Sequence, residues 1–268
     1  MASDRAIVVR EWGEPGGRPL IFWPGLNPWG GLQLVEVGPL LAERGFRVLS
    51  IAPPGCGETP GLDDADGYKP SRLADLVVEV ADAHGVDRFV YMGHSWGGSI
   101  GAHLAALHPD RLDGIVLLDG GYSDVEAPRV LRRILVERFE REQSAFAFDD
   151  WDAFLDWVQT RVRSWRPALE PRYRAGMVER DGKIVASASA RAGAWALHGV
   201  MSEPPTKVHA RIRVPVLLLV AADDAASDDV DRFRAAVPQA VIRPVDSGHD
   251  VPEDAPDELV AVVADWLG

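Results

Sequence analysis

Cysteine is nearly absent from this 268-residue chain, where Cys56 stands alone. An internal disulfide is therefore excluded, and a single thiol fits a reducing compartment. Long apolar runs are lacking too. None approaches the roughly 20 residues that cross a bilayer, and the opening "MASDRAIVVREW" carries charges where a secretory leader needs an apolar core. The expected location is the cytoplasm, with no membrane partner. Positive charge is scarce: 28 Lys and Arg stand against 41 Asp and Glu, a formal net charge of −13. Such a surface disfavours nucleic acid, because phosphate contacts need a cationic face. Repeats and low-complexity tracts are missing, and no residue cluster has metal-ligand spacing. The remaining composition, 47% apolar and 26% charged, is that of a globular protein, with nine tryptophans as its one excess.

What is present is an alternation. "RAIVVREW", "PLIFWPG", "FRVLSIAPPG", "RFVYMG" and "LDGIVLLDGG" are short apolar runs, most of them closed by glycine or proline, and they predict buried strands. Helical spacing lies between them. One stretch covers 32–43 and is closed by Gly45. Another, "SRLADLVVEVADAHG", starts at a capping Ser71 and stops at Gly85, and "GGSIGAHLAALHP" ends before Pro109. The pattern resumes late with "RVPVLLLVAADD", "SDDVDRFRAAVP", "AVIRPVDSGHD" and "PDELVAVVADWLG". Short apolar strands alternating with helices predict an α/β fold, a mostly parallel sheet with helices on both faces.

Across 122–210 the strand signal disappears. "APRVLRRILVERFEREQ" reads as an amphipathic helix, and Trp151, Phe154, Leu155, Val158 and Val162 share one helical stripe. "PALEPRYRAGMVERDG" and "SASARAGAWALHGV" read as two weaker helices. The predicted organisation is a core of 1–121 and 211–268 carrying a helical cap, 122–210.

The motif that bears chemistry is "YMGHSWGGSI". Gly93-His94-Ser95-Trp96-Gly97 matches G-x-S-x-G, and it follows a predicted strand and opens a predicted helix, the setting that motif requires. A tight strained turn leaves no room for side chains beside the serine, which explains the flanking glycines. With this motif the chain resembles the α/β-hydrolase fold family over nearly its whole length. The resemblance implies an eight-stranded type of sheet, an oxyanion loop, a nucleophile, an acid and a histidine, in that order. Two loops depart from the family pattern. Pro24-Gly25 stands for the usual His-Gly, and "APPGCGET" has Ala52 and Cys56 where aspartate and histidine are common.

On that resemblance Ser95 is the nucleophile. His249, in "DSGHDVPEDAP" between the last strand and last helix, is the base that takes its proton. His94 falls within the turn and is expected to point away from the reacting centre. His84, His103, His108, His198 and His209 read as packing or surface residues. For the acid, family spacing from Pro215 selects Asp224, with Asp223 its adjacent rival. Asp119, at the end of "IVLLD", is a third candidate because some family members carry their acid there, although a loop-capping role is the preferred reading. The oxyanion donors are expected to be the backbone N–H groups of Leu26 and Trp96. Asn27, Trp29, Trp151 and Trp195 are candidate pocket residues, the cap aromatics forming an apolar lid. One of Arg161, Arg163, Arg166, Arg172 and Arg174 could meet a substrate carboxylate.

The implied activity is a serine hydrolase of carboxylic esters or lactones of a fairly apolar small molecule, working without cofactor or metal. The same set also serves carbon–carbon cleavage of β-diketones, acyl transfer, perhydrolysis and amide or peptide cleavage. A non-catalytic binding protein on this fold is the alternative from another class. Epoxide hydrolases and haloalkane dehalogenases are disfavoured, because they use an aspartate where this chain has Ser95.

Overall fold

In the computed structural model, which describes residues 7–125 and 128–268, the apolar runs become strands of one sheet. They are β1 (Val9–Trp12), β2 (Arg18–Trp23), β3 (Phe46–Ile51), β4 (Phe89–His94) and β5 (Leu112–Leu118). Between them run α1 (Val37–Glu43), α2 (Pro70–Ala83) and α3 (Trp96–Leu107). Residues 5 and 6 of the first predicted strand lie outside the described residues, as do 126 and 127 of the predicted cap.

After β5 come α4 (Arg129–Ser144), β6 (Ala147–Phe148), α5 (Trp151–Gln159), α6 (Glu170–Ala175), β7 (Met177–Arg180), β8 (Lys183–Ala186) and α7 (Ala190–Ser202). The chain then returns to the sheet through β9 (Val216–Ala221), α8 (Asp228–Ala236), β10 (Ala240–Val245), α9 (Val251–Asp254) and α10 (Pro256–Leu267).

Among the described residues the main sheet has seven strands in the order β1-β3-β2-β4-β5-β9-β10, one fewer than the resemblance implies. β1 pairs antiparallel with β3, and the other neighbours are parallel. Side chains alternate between two apolar layers because a strand's period is two. Leu20, Phe22, Val90 and Met92 pack with α1 and α10 through Val37, Leu41, Leu259 and Val263. Ile21, Trp23, Leu49 and Tyr91 pack with α2, α3 and α8 through Leu73, Val77, Ile100 and Phe233. Both faces are covered, so the strands read as continuous apolar runs. The chain runs outward from β2 to β3, then crosses back to β4 and on to β5. The order reverses between β2 and β4, and a crevice opens at their carboxyl ends.

Three local expectations are corrected. The 32–43 helix divides into a 3-10 turn, Gly30–Leu34, and α1. α2 starts at Pro70, whose fixed φ suits the first helical position, and Lys69 rather than Ser71 occupies the cap position. The segment between β5 and β9 is not purely helical. β6, β8 and β7 form a small antiparallel sheet, in which Asp181 and Gly182 both take positive φ, 51° and 70°, as a two-residue hairpin turn of mirror-image type demands. The expected α5 stripe does form: Phe154, Leu155 and Val158 are buried with Leu169, Tyr173, Met177 and Ile184 in a core local to this segment.

Candidate active site

β4 runs into α3 through Ser95, which adopts φ 50° and ψ −108°. That left-handed backbone costs an L-residue on the order of 1–3 kcal/mol and persists only where its surroundings over-determine it. Here they do. The Ser95 N–H donates to Leu118 O at 2.9 Å, and Tyr91 Oη donates to Gly97 O at 2.7 Å. A Cβ on Gly97 would lie 2.3 Å from Trp23 O, and one on Gly120 would lie 2.3 Å from Ser95 O. The glycines are required by backbone passing against backbone on both sides of the serine.

At the turn, His249 Nε2 lies 2.9 Å from Ser95 Oγ, and His249 Nδ1 lies 2.6 Å from a carboxylate oxygen of Asp119. The aspartate that meets the histidine is thus Asp119, a correction to the expectation of Asp224. β5 and β9 are neighbours, so aspartates after either strand reach the same rim. Asp119 follows β5 immediately, takes a φ of 42° and is buried. Asp224 stands at the end of a 3-10 turn beyond β9 and is exposed, as is Asp223.

Asp119 is buried, and both oxygens of its carboxylate accept hydrogen bonds. Oδ2 accepts from His249, while Oδ1 accepts from the Ala221 N–H at 3.2 Å and the Tyr122 hydroxyl at 3.3 Å. The Asp119 hydrogen bond holds the His249 imidazole above its ordinary pKa, against the opposing effect of burial.

Behind the histidine lies a network only partly legible in the sequence. His94 is buried, and its Nε2–H donates to the backbone carbonyl of His249 at 2.7 Å. Burial pushes His94 down to about 4, so this ring is neutral at physiological pH. Its Nδ1 accepts from the Gln33 side-chain amide at 2.8 Å. Gln33 also accepts from the Gly25 N–H at 3.0 Å and donates to Asp250 at 3.2 Å. One buried glutamine therefore ties together the loop after β2, the turn after β4 and the loop after β10. Only the polar Gln33 amid apolar helical spacing could have hinted at it. Four of the other histidines are hydrogen-bonded elsewhere, His103 with Ser99 O, His84 with Val80 O, His108 with Asp75 and His209 with Gly121 O, while the buried Nδ1 of His198 has no partner among the described residues.

Leu26 and Trp96 both line the cavity of about 300 Å³ that contains Ser95, His249, Tyr122 and Asp224. They also line a narrow apolar cavity of about 40 Å³ against Phe139, Ala192 and Ala196. Of the other predicted pocket residues, Asn27 borders only this second cavity, and its side chain accepts from the Trp29 and Gly30 N–H groups. Trp29, Trp151 and Trp195 do not line the cavity of Ser95. Trp29 donates to Tyr173 O and packs edge-on against its ring. Trp151 packs on Phe154 under the Arg174 guanidinium, and Trp195 packs on Tyr68. These indoles hold the inserted segment together and against the sheet. The wall near the serine comes instead from small and aliphatic residues of α7, including Leu197 and Val200.

None of the five arginines singled out lines that cavity. Arg161 lies over Trp157, Arg163 pairs with Asp246, Arg166 with Glu36, and Arg174 with Glu170. Arg172 forms a buried pair with Glu253, whose carboxylate also accepts from the Tyr173 hydroxyl at 2.9 Å. The inserted segment is thereby latched four residues beyond His249. Among the described residues, no helix is long and apolar enough to cross a membrane.

With this geometry in place, comparison with known proteins identifies the class. The profile of the alpha/beta hydrolase fold matches residues 18–256, and the chain belongs to that family. The relatives it resembles carry the names of epoxide hydrolases, putative carbamate hydrolases and a putative non-heme haloperoxidase. It is 36% identical over 78 residues to epoxide hydrolase B of Mycobacterium tuberculosis, covering 29% of this chain and 22% of the relative. It is 29% identical over 144 residues to a putative carbamate hydrolase, RutD, of Rhizobium rhizogenes, covering 50% and 53%. The chain thus spans about half or less of these relatives' lengths. Among solved structures, a thioesterase domain from the curacin biosynthetic pathway superposes with TM-score 0.81 at 18% identity, covering 98% of this chain and 96% of the other. E-2-(acetamidomethylene)succinate hydrolase superposes with TM-score 0.76 at 20% identity, covering 99% and 96%.

Proposed function

We propose that the protein is a serine hydrolase that cleaves carboxylic esters or lactones of small, fairly apolar molecules through an acyl-enzyme. One observation carries this reading: the unbroken chain from Ser95 Oγ through the His249 ring to Asp119, at 2.9 and 2.6 Å, opening into a cavity. His249 takes the Ser95 proton as Oγ attacks the carbonyl carbon. Asp119 keeps the Nδ1–H tautomer in place and stabilises the imidazolium that forms. The backbone N–H groups of Leu26 and Trp96 receive the charge developing on the carbonyl oxygen. The leaving alcohol collects its proton from His249, and water, activated by the same ring, releases the acid. An opened epoxide or a displaced halide would need a carboxylate nucleophile, and the nucleophile position here holds a hydroxyl.

The test is a series of p-nitrophenyl esters of short to medium acyl chains, with Ser95→Ala alongside. The expected outcome is turnover in the parent and a loss of at least about 10³-fold in the variant. The narrow cavity lined by Phe139, Ala192 and Ala196 predicts a preference for short acyl groups. Two folded, equally inert proteins would overturn the reading.

A further inference from the structure

Asp224, displaced from the histidine by Asp119, is left facing the cavity that contains Ser95 and His249. Among the described residues its side chain makes no ion pair and no hydrogen bond, while Asp119 on the same cavity is buried and accepts through both oxygens. Among the described residues no lysine or arginine lines this cavity. The nearby cations of α8 are engaged elsewhere, Arg232 with Asp229 and Arg234 with Asp231. Asp228 and Asp229 sit in the first turn of α8, where the helix dipole accounts for them.

The side of the cavity matters. A leaving group collects its proton from His249, so it must project toward the histidine, whereas the narrow apolar cavity beyond Leu26 and Trp96 suits the acyl part. Asp224 lines the cavity that holds His249 and is absent from the narrow apolar one. Tyr122 and Trp96 supply aromatic wall on the same cavity, a surface that tolerates a cation.

We propose that Asp224 is a specificity residue that selects substrates whose leaving group carries a positive charge, such as an ammonium-bearing alcohol or thiol. The inference rests on the acyl-enzyme reading above and deepens it. A carboxylate without a partner at the rim stabilises a cation arriving beside it and repels an anionic leaving group. The effect is Coulombic and partly screened, so it is modest and falls with salt.

The experiment compares butyrylthiocholine with its uncharged isostere, S-(3,3-dimethylbutyl) thiobutyrate, which share acyl group, shape and thiol leaving atom. For the parent protein at low salt, kcat/KM for the cationic substrate should exceed the neutral one by about three- to tenfold, as one charge acting through a largely aqueous rim allows. In Asp224→Asn the ratio should fall to about one, and in Asp224→Lys below one. Asp228→Asn, outside the cavity, should keep the parent ratio. A parent ratio of one, or a ratio that survives Asp224→Asn, overturns the inference while the hydrolase reading stands. If no ester or thioester is turned over by the folded protein, p-nitrophenyl butyrate included, both readings fall together.

Discussion

Asp119 occupies a backbone region that L-residues rarely enter, and it accepts hydrogen bonds from a ring, a backbone amide and a phenol. Its replacement by asparagine keeps the shape but favours the wrong tautomer of His249. We expect Asp119→Asn to lower kcat by about 10³–10⁴-fold, and Asp224→Asn to lower it less than tenfold on a neutral ester. Steady-state kinetics on one p-nitrophenyl ester separates the two. The pH profile carries the same information. His249 must be neutral to act as a base, and Asp119 raises its pKa. Activity should therefore fall with acid through an apparent pKa above the ordinary imidazole value of about 6.5, and the residual activity of Asp119→Asn should fall at a lower pH. Ser95 and His249 were legible because glycine spacing and chain order mark them. Family spacing favours Asp224 over Asp119, and a sequence does not show that β5 and β9 end side by side. Gln33 escaped notice because its three partners come from distant segments.

At the scale of elements, the loops around the reacting groups are held by backbone contact and by the inserted segment. Gly120→Ala would drive a Cβ into the Ser95 carbonyl, so we expect it to unfold the turn or fail to accumulate as folded protein, as judged by near-UV circular dichroism. The buried Arg172–Glu253 pair joins α6 to α9, and Arg166 adds hydrogen bonds to the Glu253 carbonyl. Removing one member leaves the other charge buried alone. Arg172→Met should lower the unfolding free energy by about 3–5 kcal/mol in denaturant titration. Restoring balance with Glu253→Leu in the same chain should recover part of it. The strands of the main sheet were legible from continuous apolar runs, whereas β7 and β8 were missed. Their four-residue runs mix charges with apolar residues, although Asp181-Gly182 between them is a strong hairpin signal. Packing of the insertion's indoles against its own sheet, away from the serine, is a tertiary outcome that helical spacing cannot reveal.

Across the whole molecule, two of the cavities share one thiol. Cys56, half-buried, borders both the narrow apolar cavity and a neighbouring one of about 290 Å³, and desolvation there pushes its thiol up to about 12. It is therefore protonated at pH 8 and a poor nucleophile while the fold is closed. We expect a disulfide reagent to label native protein at least about a hundredfold more slowly than protein in urea, with an acyl-sized ligand slowing it further. Quenched labelling followed by intact mass would measure both.

The strand order has one more consequence. Ser95 and Asp119 are delivered by consecutive strands, β4 and β5, while His249 belongs to the loop behind β10. On the ribosome, the serine and its carboxylate emerge more than a hundred residues before the base that would awaken them. On the proposed reading, a nascent or prematurely terminated chain would carry a serine without its base, and activity would require translation to have passed the last strand of the sheet.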